Sequence, residues 1–456
     1  MDKKTRNLIE KINKKLNNKN FYYISKEAER GLGLEKLINN YQVVCKENDH
    51  IAQSVSAQVF ENARNTTELL TKNPKIKEGD VVQTFYHQIT LYSKLVQKKC
   101  KVLNPNPSFS KIFEDKIKAT KFLESAKVKF PKFKITTLDI DSIKSFPAQK
   151  MVIQLPKGHT GVGTLILDKS DNIAEKIKNL KGSLVKISEF IDGIPMTING
   201  CITNNGVFVS GVQYQITGIP EACSNEATTV GNDWGLGYKI YKNHKNEIIR
   251  NIQKIGEAMR KIGFYGLFGV DFILNNDVWI IEINARQTAN LPMQTKLELQ
   301  HDTLPLMCLD IAHFLDIDFD YSAPSDLTPL EGSQIFLRAK NDCIVKESLK
   351  SGIYRLQSDN SALVWQNNKP VDVKKNIIFL DEEKDMPLVF QNDGYSIDEI
   401  QNGGFVILFK PKFSQKTIAE EIARFQFKNS IVQENFKVKP WILKALQKIE
   451  NYMLDN

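Results

Sequence analysis

The stretch "GVDFILNNDVWIIEINAR", Gly269–Arg286, constrains this chain more than any other. Two runs rich in β-branched and aromatic residues flank "NND", the pattern of an antiparallel hairpin. Side chains alternate between faces along a strand, so Ile280, Glu282, Asn284 and Arg286 share one face. Trp279, Ile281, Ile283 and Ala285 share the other, which can pack into a core. On the partner run, Gly269, Asp271 and Ile273 share a face. A two-residue turn at Asn275–Asn276 pairs Asp271 with Ile280 and leaves Glu282 on the diagonal, whereas a four-residue loop sets Asp271 opposite Glu282. An unbulged three-residue loop does neither. Either of the first two brings two carboxylates and an asparagine oxygen together, and like charges side by side on a sheet repel unless neutralised. Hard oxygen donors of this kind suit Mg²⁺, with Mn²⁺ as an alternative, completed by phosphate oxygens and water. Arg286 follows on the same face, where its planar fork can hold a phosphate. The competing reading is a solvated hairpin face, which the apolar opposite face and the low charge of "GLFGVDF" argue against.

A second segment points the same way. "KMVIQLPKGHTGVGTLIL" reads as strand, glycine-rich loop, strand. Gly158, Gly161 and Gly163 let the backbone approach a phosphate with its N–H groups turned inward, and Lys157, Thr160 and Thr164 lie in the same loop. No GK[ST] closes it, so it is not a Walker loop, and a flexible hairpin tip has a similar sequence. "GLG" at Gly31–Gly33 is too short for a dinucleotide fingerprint.

The 456 residues suffice for two to four domains. Residues 1–108 read as a small α/β domain, with "NFYYIS" a strand and "KEAERGLGLEKLINN" a helix. "VLNPNPS" is a plausible boundary. A helical stretch follows in "SFSKIFEDKIKATKFLESAKV", then an antiparallel meander through "SLVKISEFIDGIPMTINGCITNNGVFVSGVQYQITG" and a long amphipathic helix in "NEIIRNIQKIGEAMRKIGF". "TTVGNDWGLG", Thr228–Gly237, reads as a loop able to serve as a substrate lid, and Gln213 and Gln215 either line the cleft or sit on an exposed strand. Gln287 and Asn290, just past Arg286, lead into the cleft as candidate substrate contacts. "FDYSAPSDLTP" is a second linker. Beyond it, residues 330–456 read as short strands ("GSQIFLRAK", "GIYRLQS", "ALVWQN", "GGFVILFKP") closed by helices in "QKTIAEEIARFQF" and "KPWILKALQKIENYM".

Several classes are excluded. No apolar run approaches the roughly 18 residues that span a bilayer. The basic N-terminus lacks the apolar core of a secretory signal. The net charge of +9 is spread along the chain rather than gathered in a nucleic-acid patch. The six cysteines form no CxxC pair, which fits reduced thiols in a cytoplasmic protein.

Taken together, "GVDF" through "IIEINAR" and the glycine-rich loop resemble the ATP-grasp superfamily, over roughly residues 109–312 of a domain read as 109–320. The resemblance implies an α/β (α+β) ATP-grasp fold, preceded by a pre-ATP-grasp domain at 1–108 and followed by a small β-rich cap at 330–456. It implies that Asp271, Glu282 and Asn284 hold Mg²⁺ and that Arg286 is the catalytic arginine, touching phosphate or the reacting carboxylate. "EDKIKATKFL" looks like the family's DK-containing helix, making Lys116 a nucleotide-phosphate ligand. "ISEFIDG" looks like the hinge that meets adenine, at Glu189, Phe190 and Ile191. One departure stands out: relatives usually carry a lysine on the strand before the glycine loop, where this chain has Gln154. A glutamine can bond a phosphate oxygen but adds no charge. Lys157 with Gly158, Gly161 and Gly163 is then the loop's contribution to the nucleotide site.

The function implied is ATP-dependent joining of a small-molecule carboxylate to an amine through an acyl phosphate, releasing ADP, with ATP and Mg²⁺ as cofactors and a homodimer as a common family outcome. The alternatives are an ATP-grasp carboxylase, a thioester-forming ligase, or a non-catalytic ATP-binding regulator, which Gln154 favours.

Overall fold

The computed structural model describes residues 1–158, 161–319, 326–356, 365–366, 369–370, 377–379, 387–400 and 403–454. His159 and Thr160 of the glycine-rich loop, most of "ALVWQN" and part of the linker "FDYSAPSDLTP" lie outside them.

The first hundred residues build a five-stranded parallel sheet, ordered Gln58–Val59, Tyr41–Cys45, Phe21–Ile24, Val81–Thr84, Lys101–Val102. The segment "KEAERGLGLEKLINN" does not form the expected helix; only a short 3₁₀ turn, Ala28–Gly31, interrupts it. The reason is close docking. A Cβ on Gly31 would sit 2.8 Å from the Tyr23 ring, and one on Gly33 would sit 3.0 Å from Thr295, so the segment is pressed between its own sheet and helix Leu291–Gln300.

A four-stranded antiparallel sheet follows, ordered Phe133–Thr137, Leu184–Glu189, Lys150–Gln154, Thr164–Asp168. Met151, Ile153, Leu167, Val185 and Ile187 fill a small core on one face. The other face turns toward helix Lys116–Ala126, N-capped by Asp115.

The largest element is an antiparallel sheet of eleven strands among the described residues. It runs Val278–Asn284, Gly266–Leu274, Ile194–Thr203, Gly206–Thr217, Thr229–Asp233, and then, without a break, Ser333–Arg338, Glu421–Phe427 and Phe405–Phe409 before ending in Gly352–Leu356, Pro387–Asn392 and Ile377–Phe379. Helix Trp234–Lys261 packs along one side of it. Ile248, Ile252, Ile255 and Met259, spaced to share a helix face, meet Val270, Phe272, Leu274 and Ile283 in the main core.

Two expectations fail here. "TTVGNDWGLG" is not a lid: Thr229–Asp233 is a central strand, and Trp234, fully buried, begins the helix. Asp233 caps that helix through Leu236 N–H and also accepts from Ser430 Oγ and the N–H groups of Ile431 and Val432, so this corner is locked to the C-terminal segment. "QKTIAEEIARFQF" has good helix formers, yet Glu421–Phe427 is a strand between two others. Ile422, Ala423, Phe425 and Phe427 are all buried there, and sheet packing overrides propensity.

Candidate functional site

The hairpin reaches the Asp271–Glu282 pairing expected of a four-residue loop, but by a bulged three-residue one. Leu274 pairs with Val278, leaving the three-residue loop Asn275–Asp277, but a bulge lies between Asp271 and Phe272. It places Phe272 opposite Ile280 and Asp271 directly opposite Glu282, with Gly269 opposite Asn284. One extra residue on the second strand flips its alternation. Val278 and Ile280 therefore point into the core below the bulge, and Ile283 and Ala285 do so above it. Ile280, expected beside the polar residues, is core; Glu282, Asn284 and Arg286 keep the cleft side.

Around the paired carboxylates the protein supplies hydrogen bonds to Asp271 and an ion pair to Glu282. Gln215 Nε2 donates to Asp271 Oδ1 at 2.9 Å, and Asn284 Nδ2 reaches Asp271 Oδ2 at 3.4 Å. Lys116 Nζ lies 3.0 Å from Glu282 Oε1. Loss of water and the Glu282 charge push the Asp271 carboxyl up to about 6, against smaller opposing effects from Thr197, Lys116 and Arg286. Two oxyanions and an amide oxygen on one face, with one carboxylate destabilised by the other, fit a divalent cation: Asp271, Glu282 and Asn284 would hold it. Among the described residues no group of three His, Cys, Asp or Glu side chains competes for that role.

Arg286 is seated by the N-terminal sheet, a contact that the sequence did not reveal. Its guanidinium lies 5.5 Å from the Phe85 ring and 5.7 Å from Tyr86. Its Nη1 donates to Gln287 O, its Nη2 to Asn284 Oδ1 at 3.4 Å, and its Nε faces Glu114 at 3.4 Å. Beside it, His87 is half-buried, and its loss of water plus the Arg286 charge hold its imidazole down at about 3, so it stays neutral.

The chain after Arg286 is structural. Gln287 accepts from Tyr23 Oη at 2.8 Å and donates to Arg30 O at 2.7 Å, clamping the parallel sheet to the site. Asn290 donates to Gln213 Oε1 and, with Asn199 and Gln294, makes a buried amide network under the cleft floor. Gln287, Asn290 and Gln213 are thus committed to the protein, and only Gln215 of the two strand glutamines reaches the site. The network ends at the fully buried Glu298, which accepts from Gln294 Nε2 and Leu306 N–H.

Burial pushes the Glu298 carboxyl from its ordinary 4.5 up to about 7. The unfolded chain ionises there while the folded one stays protonated, so this group lowers stability as pH rises through that window and adds nothing further above it. Glu298→Gln is expected to remove that slope, gaining on the wild type by up to about 3 kcal/mol between the two ends. Urea unfolding at pH 5 and pH 8 checks it; an unchanged slope places the titration elsewhere.

The glycine-rich loop joins the two sheets. Lys116 N–H donates to Pro156 O at 2.8 Å, tying the loop's start to the helix that carries Lys116. Gly161, at φ +77°, would drive a Cβ to 2.7 Å from Thr228 Oγ1, so it is required there. Asn225 Nδ2 donates to Thr164 O at 3.1 Å. Lys157 is exposed, whereas Gln154 is buried at the strand end, opposite Thr164 on one side and Lys186 on the other. Lys186 was not singled out from sequence. The cue was available in "LVKISEF", where a lysine stands between the core residues Val185 and Ile187 on a strand.

At the expected hinge, Glu189 Oε1 accepts from Lys132 N–H at 2.9 Å, just before strand Phe133–Thr137. Phe190 N–H donates to Lys150 O, and Lys150 Nζ stacks 3.9 Å from the Phe190 ring centre. Phe190 and Ile191 are half-buried at the strand's end.

Residues 113–290 match the sequence profile of the ATP-grasp domain. Among curated proteins, the chain is 24% identical over 182 residues to the butirosin acyl-carrier protein–L-glutamate ligase of Niallia circulans, a match spanning 38% of this chain and 42% of that one. Among solved structures, carboxyaminoimidazole ribonucleotide synthase from Aspergillus clavatus, complexed with ATP, superposes with a TM-score of 0.58 at 12% identity, over 96% of this chain and 97% of that one. The biotin carboxylase domain dimer of the Hydrogenobacter thermophilus 2-oxoglutarate carboxylase, with MgADP and bicarbonate, gives 0.55 at 11% identity over 90% and 86%. The chain has the ATP-grasp fold, and residues 113–290 are its ATP-grasp domain.

Proposed function

We propose that this protein is an ATP-dependent ligase that joins a carboxylate to an amine and releases ADP and phosphate. The observation that carries the reading is the bulged hairpin, which sets Asp271 opposite Glu282 with Asn284, Lys116 and Arg286 around them. The ATP-grasp family binds ATP with Mg²⁺, and the similar carboxylase domain holds MgADP. The amine half of the reading is supported by the likeness to the glutamate ligase of Niallia circulans.

In the proposed reaction a substrate carboxylate oxygen attacks the γ-phosphorus, the bond to the β–γ bridging oxygen breaks, and ADP leaves. An amine nitrogen then attacks the acyl carbon, and phosphate departs with the oxygen it received. The first step needs positioning and charge neutralisation more than a protein nucleophile. When bound, Mg²⁺ would neutralise charge on the β- and γ-phosphates. Lys116 contributes a fixed positive charge beside Glu282. Arg286, held by aromatic rings on one side, presents its fork to the transferring phosphoryl group. The glycine-rich loop excludes water from the acyl phosphate.

ADP release measured across a matrix of amino acids, dipeptides and bicarbonate tests the proposal. The expected result is acceptor-stimulated ADP with a new C–N product by mass spectrometry. AMP as the nucleotide product, or ATP binding with no stimulation by any member, contradicts it. A product carboxylated at nitrogen from bicarbonate selects the carboxylase reading, which the likeness to the carboxyaminoimidazole synthase favours.

A further inference from the structure

We infer that Lys186 is a nucleotide-phosphate ligand, supplying from the adjacent strand the charge that Gln154 lacks. The inference rests on the nucleotide reading of this cleft and adds a residue to it.

Gln154 and Lys186 are direct register partners on neighbouring antiparallel strands. Opposed residues of such a pair lie on one face with their Cα atoms about 4.5–5.5 Å apart, so a side chain from either position reaches the same space. That face is the one opposite the small core of Met151, Ile153, Val185 and Ile187. It is covered by the helix that carries Lys116 and Thr120.

Lys186 is only 6% exposed, and among the described residues no carboxylate forms an ion pair with it. Its Nζ has a 3.4 Å contact with Thr120 Oγ1, whose own hydrogen is given to Lys116 O at 2.7 Å. The acid whose charge acts on it is Glu282, already engaged by Lys116. A buried ammonium beside a second ammonium is expensive unless an anion completes the site. Burial and the Lys116 charge hold the Lys186 amine down at about 8, the sign of a cation short of negative partners. A structural lysine would be expected to have a carboxylate, as the buried Lys296 has Glu35 at 2.6 Å and the buried Lys410 has Glu47 and Asp49. Lys186 instead shares the charge of Glu282 with Lys116, beside the strand end at Gln154. A polyphosphate chain has the charge and length to satisfy both.

The test is calorimetric binding of MgATP and MgADP to the full chain, with thermal unfolding of the nucleotide-free protein. Lys186→Gln is expected to weaken MgATP binding on the order of 10–100-fold, the worth of a charge-assisted bond. The nucleotide-free variant should unfold no earlier than wild type, because an unpaired buried charge has been removed. Adding Gln154→Lys to Lys186→Gln should restore most of the affinity by returning the charge to the same space from the other strand. Wild-type affinity in Lys186→Gln overturns the assignment. So does a loss that Gln154→Lys fails to restore, or one accompanied by early unfolding. Binding is read without turnover, which separates this inference from the ligase reading: a protein that needs Lys186 for MgATP yet stimulates with no acceptor contradicts only the latter. A wild type that binds no nucleotide overturns both.

Discussion

Glu282→Gln is expected to lower acceptor-dependent ADP release by on the order of 10²–10³-fold or more while leaving a folded protein. Glu282 is the partner of Asp271 across the bulged register and the carboxylate that Lys116 engages at 3.0 Å. An amide keeps the shape and an oxygen but loses the charge on which both a divalent cation and Lys116 depend. The fold is expected to be retained: the variant leaves the buried Lys116 without its ion pair, but it relieves the like-charge repulsion on Asp271, and Glu282 lies outside the apolar core that faces helix Trp234–Lys261. Its loss also lets the Asp271 carboxyl fall from about 6 back toward the ordinary range, because the neighbouring charge that helps to raise it is gone. Wild-type turnover in a folded variant would remove the metal assignment; an unfolded variant would move Glu282 from the site to the scaffold.

Arg286→Lys should be almost as damaging as Arg286→Ala, with kcat down on the order of 10²–10³-fold in both. The positive charge alone is not what the site holds. The guanidinium is fixed by the Phe85 and Tyr86 rings, Gln287 O and Asn284 Oδ1, and an ammonium can neither stack in that way nor offer two parallel donors. The loss should fall on kcat, with the KM for ATP changed far less, since the arginine serves the transferring group rather than ground-state binding. Steady-state kinetics of both variants decide it: a lysine variant near wild type would mean that charge suffices, and a loss confined to KM would make Arg286 a binding residue.

The hairpin's polar face was legible because period-two alternation reports which residues share a face before any partner is known. Asp271, Glu282, Asn284 and Arg286 do converge on the cleft. The route was not legible. A bulge depends on packing along both strands, and it moved Ile280 into the core where simple alternation placed it beside Glu282. Long-range seating was equally hidden: nothing local to "FYHQ" says that Phe85 and Tyr86 will stack on an arginine two hundred residues away. Lys186 was missed for a related reason. The local sequence around Gln154 offers a charge only from the loop at Lys157, while Lys186 stands on the strand that pairs with it. The errors in secondary structure share a cause too. "KEAERGLGLEKLINN" and "QKTIAEEIARFQF" carry helix formers, but Gly31 and Gly33 are needed for close docking and Glu421–Phe427 is needed as a central strand. The lid expected at "TTVGNDWGLG" failed because its glycines serve packing, Gly237 lying so close to Gln213 that a Cβ would approach its backbone to 2.5 Å.

The measurement that bears most directly on the ligase proposal is oxygen transfer. A carboxylate selected from the matrix is labelled with ¹⁸O in its carboxyl group and incubated with the protein, MgATP and the amine. If the reaction passes through an acyl phosphate, one labelled oxygen appears in the inorganic phosphate and ADP accumulates in step with the C–N product. Unlabelled phosphate beside that product, or label carried into AMP, would contradict it.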